Sequence, residues 1–137
     1  LDAQIGLNVE APEALGPAQL AALAGPLSVV ERGSNRYARL GPQGDVVFSV
    51  ALGDVPNRLT FLLDVPRSSP PSDAWSRMLE AASACAQRLG GRLVDDGGRP
   101  LADSSLAQIG RQLLQRYESL EAIGVPAGSA LALRVFN

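Results

Sequence analysis

Residues 46–65, VVFSVALGDVPNRLTFLLDV, hold two runs of alternating side chains separated by a short turn-forming segment. One parity is bulky in both runs, with Phe48 and Val50 in the first and Phe61 and Leu63 in the second, whereas the other parity is mixed. Successive side chains of a strand point to opposite faces. The pattern therefore predicts two antiparallel strands with one face on a core and the other less covered.

The neighbouring sequence extends this pattern in both directions. The full set of predicted strands is 3–10, Leu27–Glu31, Arg36–Leu40, Val46–Leu52, Arg58–Val65, Arg92–Asp95 and 130–137. Apolar residues at spacings of three and four predict helices over 18–24, from an N-cap at Ser72 to Leu89, and from a cap at Asp103 to a break at Gly124. This order predicts an α+β fold, with a mostly antiparallel six- to seven-stranded sheet and three helices on one face.

The composition excludes several kinds of chemistry. The 137 residues, 46% of them hydrophobic, predict a single domain over residues 1–137 with a real core. All 12 basic residues are Arg, and against 14 acidic residues the net charge is −2, which argues against binding to nucleic acid. The chain has no His and a single cysteine, Cys85. These absences remove the commonest general base, the commonest zinc ligand and every Ser/His/Asp or Cys/His arrangement, which agrees with a protein that catalyses no reaction and needs no cofactor.

Two features that could suggest chemistry are better explained by structure. Asp95 and Asp96 are adjacent in a predicted strand end, so their side chains diverge, and they suit a turn rather than a pair of catalytic carboxylates. Trp75, Met78 and Cys85 lie on or near the apolar stripe of one predicted helix, and we expect them in the core.

No stretch approaches the roughly 18–20 uninterrupted apolar residues of a membrane span. The chain starts with Leu and lacks the charged start of a signal peptide. We expect it to be a piece of a longer protein.

Several segments, taken in their order and spacing, resemble the C-terminal domain family of the cell-division protein ZipA. The resemblance covers residues 3 to about 120. The segments that carry it are Asn8-Val9, Leu40-Gly41-Pro42-Gln43-Gly44, Phe48-Ser49-Val50-Ala51, Asp64-Val65-Pro66, Trp75 with Met78-Leu79, Gly90-Gly91-Arg92-Leu93-Val94-Asp95-Asp96, and Pro100-Leu101 with Leu106.

The resemblance implies a non-enzymatic adaptor of bacterial cytokinesis. Domains of this family have a split β-α-β fold and bind the C-terminal tail peptide of the tubulin-like FtsZ on the open face of the sheet. They thereby tether the division ring to the inner membrane. A monomeric domain on the cytoplasmic face of that membrane, at the division septum, is implied, with an N-terminal anchor outside this chain. The alternative is an α+β module of ferredoxin-like build that binds a small regulatory molecule on the same face.

Aligned on the family segments, the outward parity implies a peptide-binding site. Its residues are Gln4, Gly6, Asn35, Tyr37, Arg39, Val47, Ser49, Ala51, Gly53, Thr60 and Leu62. Arg39 and Arg58 are the expected partners of acidic residues in the peptide. Gly6 and Gly53 stand where the family has bulky side chains, and each such loss removes about 1–2 kcal/mol of apolar contact.

Residues 130–137 extend beyond the last predicted helix and alternate in the manner of a strand. We expect this strand to pair with an open edge of the sheet. The pattern also allows it to lie over the peptide groove or to form a mobile tail.

Overall fold

The computed structural model describes residues 4–33, 35–66, 68 and 73–129. Within them, the strands are β1 Gln4–Glu10, β2 Val30–Glu31, β3 Arg36–Leu40, β4 Val46–Leu52, β5 Arg58–Asp64 and β6 Arg92–Val94. The helices are α1 Pro17–Ala22, α2 Ala24–Leu27, α3 Ala74–Leu89 and α4 Asp103–Ala122. No helix among these residues is both long and apolar enough to cross a membrane.

The strands form one sheet in the order β2-β3-β4-β5-β1-β6, and every neighbouring pair is antiparallel. The first strand lies inside the sheet because β1 pairs with β5 on one side and with β6 on the other. Its register against β5 places Gln4 opposite Asp64 and Glu10 opposite Arg58. The predicted antiparallel α+β architecture is confirmed.

One face of the sheet carries the core, because the bulky parity of each central strand points toward the helices. Leu7 in β1, Phe61 in β5 and Met78 in α3 are all 0% exposed, and they belong to one continuous apolar cluster. Buried residues of all four helices join this cluster, including Leu20, Leu27 and Leu113. Trp75 packs against it while partly buried, and Cys85 is fully inside.

The predicted strand Leu27–Glu31 is shorter in the structure. Leu27 ends the short helix α2, and only Val30–Glu31 form a strand. Ser28 has a left-handed backbone with φ 55°, and the amides of Ser28 and Val29 bond back to carbonyls of α2. Because Leu27, Ser28 and Val29 take part in this reversal, they are not available for the longer strand that the apolar run predicts. The helix predicted over 18–24 is correspondingly divided into α1 and α2.

Several predicted boundaries move by one residue. Asp103 is the first residue of α4, and Ala102 occupies the N-cap without a side-chain bond. Strand β5 ends at Asp64, whose carbonyl accepts from the amide of Ser68 at 3.0 Å. Asp95 follows β6 as the predicted turn residue, and its carboxylate accepts from the amides of Gly97 and Arg99. The predictions for Ser72 and for residues 130–137 lie outside the described residues.

Candidate functional site

The face of the sheet opposite the helices is uncovered by any described element. We call it the open face and define it by the outward side chains of the four inner strands, Gln4, Gly6, Arg36, Ala38, Val46, Ser49, Ala51, Thr60 and Leu62. Gln4, Gly6 and Arg36 are exposed, and Val46 is 39% exposed although it is apolar. Their strand neighbours on the other parity are almost fully buried.

Two adjoining depressions mark the open face. One, of about 220 Å³, is lined by Gln4, Arg32, Arg36, Ala38, Val46, Ser49, Leu62 and Asp64. The other, of about 410 Å³, is lined by Gln4, Arg36, Ser49, Ala51, Leu52, Gly53, Asp54, Thr60 and Leu62. Because they share Gln4, Arg36, Ser49 and Leu62, together they make one shallow groove that crosses β3, β4, β5 and β1. We call this the cross-strand groove.

Most of the residues that the sequence assigned to the site lie along this groove. Those lining it are Gln4, Ser49, Ala51, Gly53, Thr60 and Leu62. Gly6 lies beside it, directly opposite Leu62 in the sheet, and a Cβ at Gly6 would be 3.2 Å from the Leu62 Cδ2 atom. Small side chains therefore surround Leu62 on the floor of the groove.

Tyr37 and Arg39 are not on the open face, contrary to the sequence prediction. Tyr37 pairs with Val50, is 8% exposed and belongs to the core. The Arg39 guanidinium donates to the Leu27 carbonyl and lies 5.0 Å from the centre of the Phe48 ring. Burial lowers the pKa of Arg39, and its Nε atom has no hydrogen-bond partner among the described residues. It is a structural cation between helix and sheet.

Val47 and Asn35 also depart from their predicted positions. A β-bulge shifts the register at Arg39/Leu40, so that Leu40 pairs with Val46 and Val47 has no partner of its own. Val47 is 2% exposed and turns into the core, and Val46 takes its place on the open face. Asn35 has a left-handed φ of 55° and is the residue before β3 rather than part of that strand.

Sequence reasoning missed several residues of the groove, above all Arg32 and Arg36. In β3 both parities contain an arginine and an apolar residue, so alternation alone gives no basis for choosing which parity faces outward. Pairing with β4 fixes the choice, because Arg36 lies opposite Ala51 and Ala38 lies opposite Ser49 on the open face. Asp54 and Asp64 line the groove as well and were not predicted.

Arg58 lies on the uncovered side of the sheet but is already engaged. Its guanidinium is 3.2 Å from the Glu10 carboxylate and also donates to the Asp96 carbonyl. Glu10 forms a second ion pair with Arg92 at 3.0 Å, and the Arg92 hydrogen bond is the main reason that the pKa of Glu10 is lowered. This end of the sheet is a self-contained polar cluster.

Asn8 joins the same cluster from the middle of β1. Its side-chain nitrogen donates to the Asp96 carboxylate at 2.9 Å, and its side-chain oxygen accepts from the Thr60 hydroxyl at 2.8 Å. Asp96 therefore has a structural partner, and Asp95 caps its own turn. Among the described residues, no group of cysteine and carboxylate side chains could hold a metal ion.

A second apolar cavity, of about 360 Å³, lies in the helix layer between the start of α3 and the middle of α4. Trp75 and Tyr117 contribute to it, together with Leu114, which is 61% exposed. This cavity lies on the helix side of the sheet and shares no lining residue with the cross-strand groove.

The fold and the open face define a class of protein, an α+β domain with a one-sided antiparallel sheet whose free face is grooved. Comparison with known families identifies the class more closely. The family model described as ZipA, C-terminal FtsZ-binding domain, matches residues 5–112, which is most of the chain. The chain belongs to this family of FtsZ-binding domains of cell division. No curated protein matches the chain significantly.

Proposed function

We propose that this domain is a non-enzymatic adaptor that binds the C-terminal tail peptide of FtsZ in the cross-strand groove. The observation that carries the proposal is the groove itself, an elongated, uncovered depression on the free sheet face of a chain that belongs to an FtsZ-binding family. An extended or helical peptide fits a shallow groove of this form better than a small molecule does, because small molecules are usually bound in enclosed cavities whereas peptides bind along open grooves.

Leu62 is the central contact of the proposed complex. It lines both depressions and is flanked by Ser49, Gly6 and Thr60, whose small side chains leave room above the sheet. An apolar side chain of the peptide resting on Leu62 gains about 25 cal/mol for each Å² of apolar surface removed from water. The floor has few large side chains, so we expect micromolar rather than nanomolar affinity.

The adaptor role follows from this contact. Bound to the FtsZ tail, the domain connects the division ring to the inner membrane from its cytoplasmic face, through an anchor in another part of the full-length protein. The domain acts as a monomer in this scheme and requires no cofactor. Family membership and the absence of histidine from the sequence support a binding role over catalysis.

A fluorescence-anisotropy titration of a labelled FtsZ C-terminal tail peptide, taken from the organism that encodes this chain, tests the proposal. The test variants are Leu62→Glu and Val46→Glu on the open face, and Leu114→Glu on the exposed side of α4 is the matched control. We expect saturable binding by the unaltered domain. Leu62→Glu removes buried apolar contact worth about 1.5–3 kcal/mol, a loss of roughly 10- to 100-fold in affinity.

Val46→Glu should weaken binding in the same direction, and Leu114→Glu should leave it within about twofold. Circular dichroism shows whether each variant is folded. Loss of binding in Leu114→Glu alone would move the site to the cavity between α3 and α4. Absence of binding by the unaltered, folded domain would contradict the proposal.

A further inference from the structure

Two arginines stand at one end of the cross-strand groove. Arg32 and Arg36 line the same 220 Å³ depression, and both are exposed. They face each other across the hairpin between β2 and β3, because the Arg32 amide donates to the Arg36 carbonyl at 2.8 Å and continues the Val30–Ala38 register. We call these two side chains the arginine pair.

Among the described residues, no hydrogen bond or ion pair engages either side chain of the arginine pair, whereas Arg39, Arg58 and Arg92 are each held by an acceptor. Other exposed arginines, such as Arg88, are likewise without a side-chain partner among the described residues, and the arginine pair differs from them because it lines the cross-strand groove. Like charges directly opposite each other on neighbouring strands destabilise a sheet. A pair left in this arrangement at the edge of a groove has unused capacity to bind an anion.

The opposite end of the groove has a different character. Gln4 and Asp64 lie on β1 and β5, across the same 220 Å³ depression from the arginine pair. They are paired with each other in the register of the sheet, and both residues take part in interactions within the protein. Among the described residues that line the groove, the arginines stand at the β2–β3 end. Leu62 and small side chains lie between the two ends, and Asp54 also lines the groove.

We infer that the arginine pair binds an acidic side chain of the partner peptide and thereby fixes the direction in which the peptide lies in the groove. The inference rests on the proposed function and deepens it. In this arrangement the apolar residues of the peptide lie over Leu62 and Ser49, and the carboxylate next to them in sequence lies between Arg32 and Arg36. One carboxylate between the two guanidinium groups offsets part of the repulsion between them.

An acidic side chain fits this end better than a terminal carboxylate does. Terminal carboxylates are usually held by free backbone amides arranged as a nest. Here the Arg32 amide bonds to the Arg36 carbonyl and the Arg36 amide bonds to the Gly33 carbonyl, so both are occupied. Two long, exposed guanidinium groups suit a carboxylate on a flexible side chain.

The experiment is a double-mutant cycle by the same anisotropy titration. The domain variants are Arg32→Gln, Arg36→Gln and both together, with Arg88→Gln, an exposed arginine of α3, as the matched control. In the peptide, each acidic side chain is replaced in turn by its amide, and a further peptide has an amidated C-terminus. Thermal unfolding of each variant without peptide is measured in parallel.

We expect the double variant to bind about 3- to 10-fold more weakly at low salt, and the difference to shrink toward 1 M salt as screening shortens to about 3 Å. One acidic position of the peptide should give the same loss, with no further loss when it is combined with the double variant. Arg88→Gln and C-terminal amidation should change affinity by less than twofold. The melting temperature of the variants without peptide should be unchanged or slightly higher because a repulsion has been removed.

Equal binding by the double variant and the unaltered domain would overturn the inference and leave the proposed function standing. A loss that follows C-terminal amidation instead would overturn the assignment to an acidic side chain. Absence of any binding by the unaltered domain would remove the proposed function and this inference together.

Discussion

At the scale of single residues, Gly90 and Gly91 are adjacent and needed for different reasons. Gly90 caps α3 in the left-handed region with φ 66°, as its place after the apolar stripe predicts. Gly91 brings the chain so close to β1 that an added Cβ would lie 2.2 Å from the Glu10 carbonyl oxygen. Only a residue without a side chain allows β6 to approach β1 at this point.

Replacing Gly91 with Ala should therefore destabilise the fold although the change is small. The obstacle is a backbone atom of β1, which cannot rotate away, and overpacking of this kind costs about 1–3 kcal/mol. Gly25→Ala is the matched control, since nothing lies within 4 Å of its added Cβ and the residue is in α2. We expect that change to be neutral or to stabilise by up to about 1 kcal/mol. Guanidinium denaturation measures both, and an equal response of the two variants would contradict this account.

At the scale of elements, the sequence predicts which segments are strands better than it predicts which face they present. The bounds of β3 and β4 follow from alternation and from the turn between Gly41 and Asp45, where the Gly41 amide donates to the Asp45 carbonyl at 2.7 Å. The assignment of Tyr37 and Val47 to the open face fails, because a bulge and a hairpin register decide it. The bulge and the register both depend on how a strand pairs with its neighbours. The sequence of one strand alone does not determine that pairing.

The groove residues on β1 and β5 could be predicted from the sequence, because the two parities of these strands differ clearly in hydrophobicity. In these strands one parity is strongly apolar, with Leu7, Val9, Phe61 and Leu63 buried, so the remaining parity has to face outward. Where a strand has two similar parities, as β3 does, the candidate site was misassigned, and Arg36 was missed in favour of Arg39.

Helix α3 contributes most to covering the core face, since it contacts β1, β4, β5 and β6. Met78 at its centre is 0% exposed, so Met78→Ala should lower the free energy of unfolding by about 2–5 kcal/mol through lost contact and a residual cavity. Ser76→Ala, at an exposed position of the same helix, should change it by less than about 0.5 kcal/mol. Urea unfolding followed at 222 nm distinguishes them, and a loss of similar size in both would indicate that helix propensity rather than packing decides.

At the scale of the whole molecule, the charge composition makes the response to alkali simple to interpret. All 12 basic residues are Arg, so no lysine contributes to the change of stability between pH 9 and 11. Burial raises the pKa of the Cys85 thiol to about 11, and burial is also the main cause of the raised pKa of Tyr117. These two buried acids lie in the same core as the central strands.

We therefore predict that stability falls as the pH rises from about 9 to 11. In the unfolded chain the Cys85 thiol loses its proton near its ordinary value of 9.0, whereas the folded protein holds that proton until about 11. The folded state then binds more protons than the unfolded state, so the free energy of unfolding decreases with pH, by about 1–2 kcal/mol for this group. Guanidinium unfolding at successive pH values measures the slope. Cys85→Ala should have a shallower slope, and an unchanged slope would assign the effect to tyrosine alone.

The position of β1 within the sheet has a consequence for how the protein is made. Both neighbours of β1 come later in the chain, and its partner for Gln4 is Asp64, so the strand synthesised first can complete neither of its ladders alone. While the nascent chain emerges from the ribosome, Ile5, Leu7 and Val9 have no sheet to join until β5 has been translated. Completion of the sheet therefore waits for contacts between sequence-distant residues, and folds rich in such contacts form more slowly than those built from local ones.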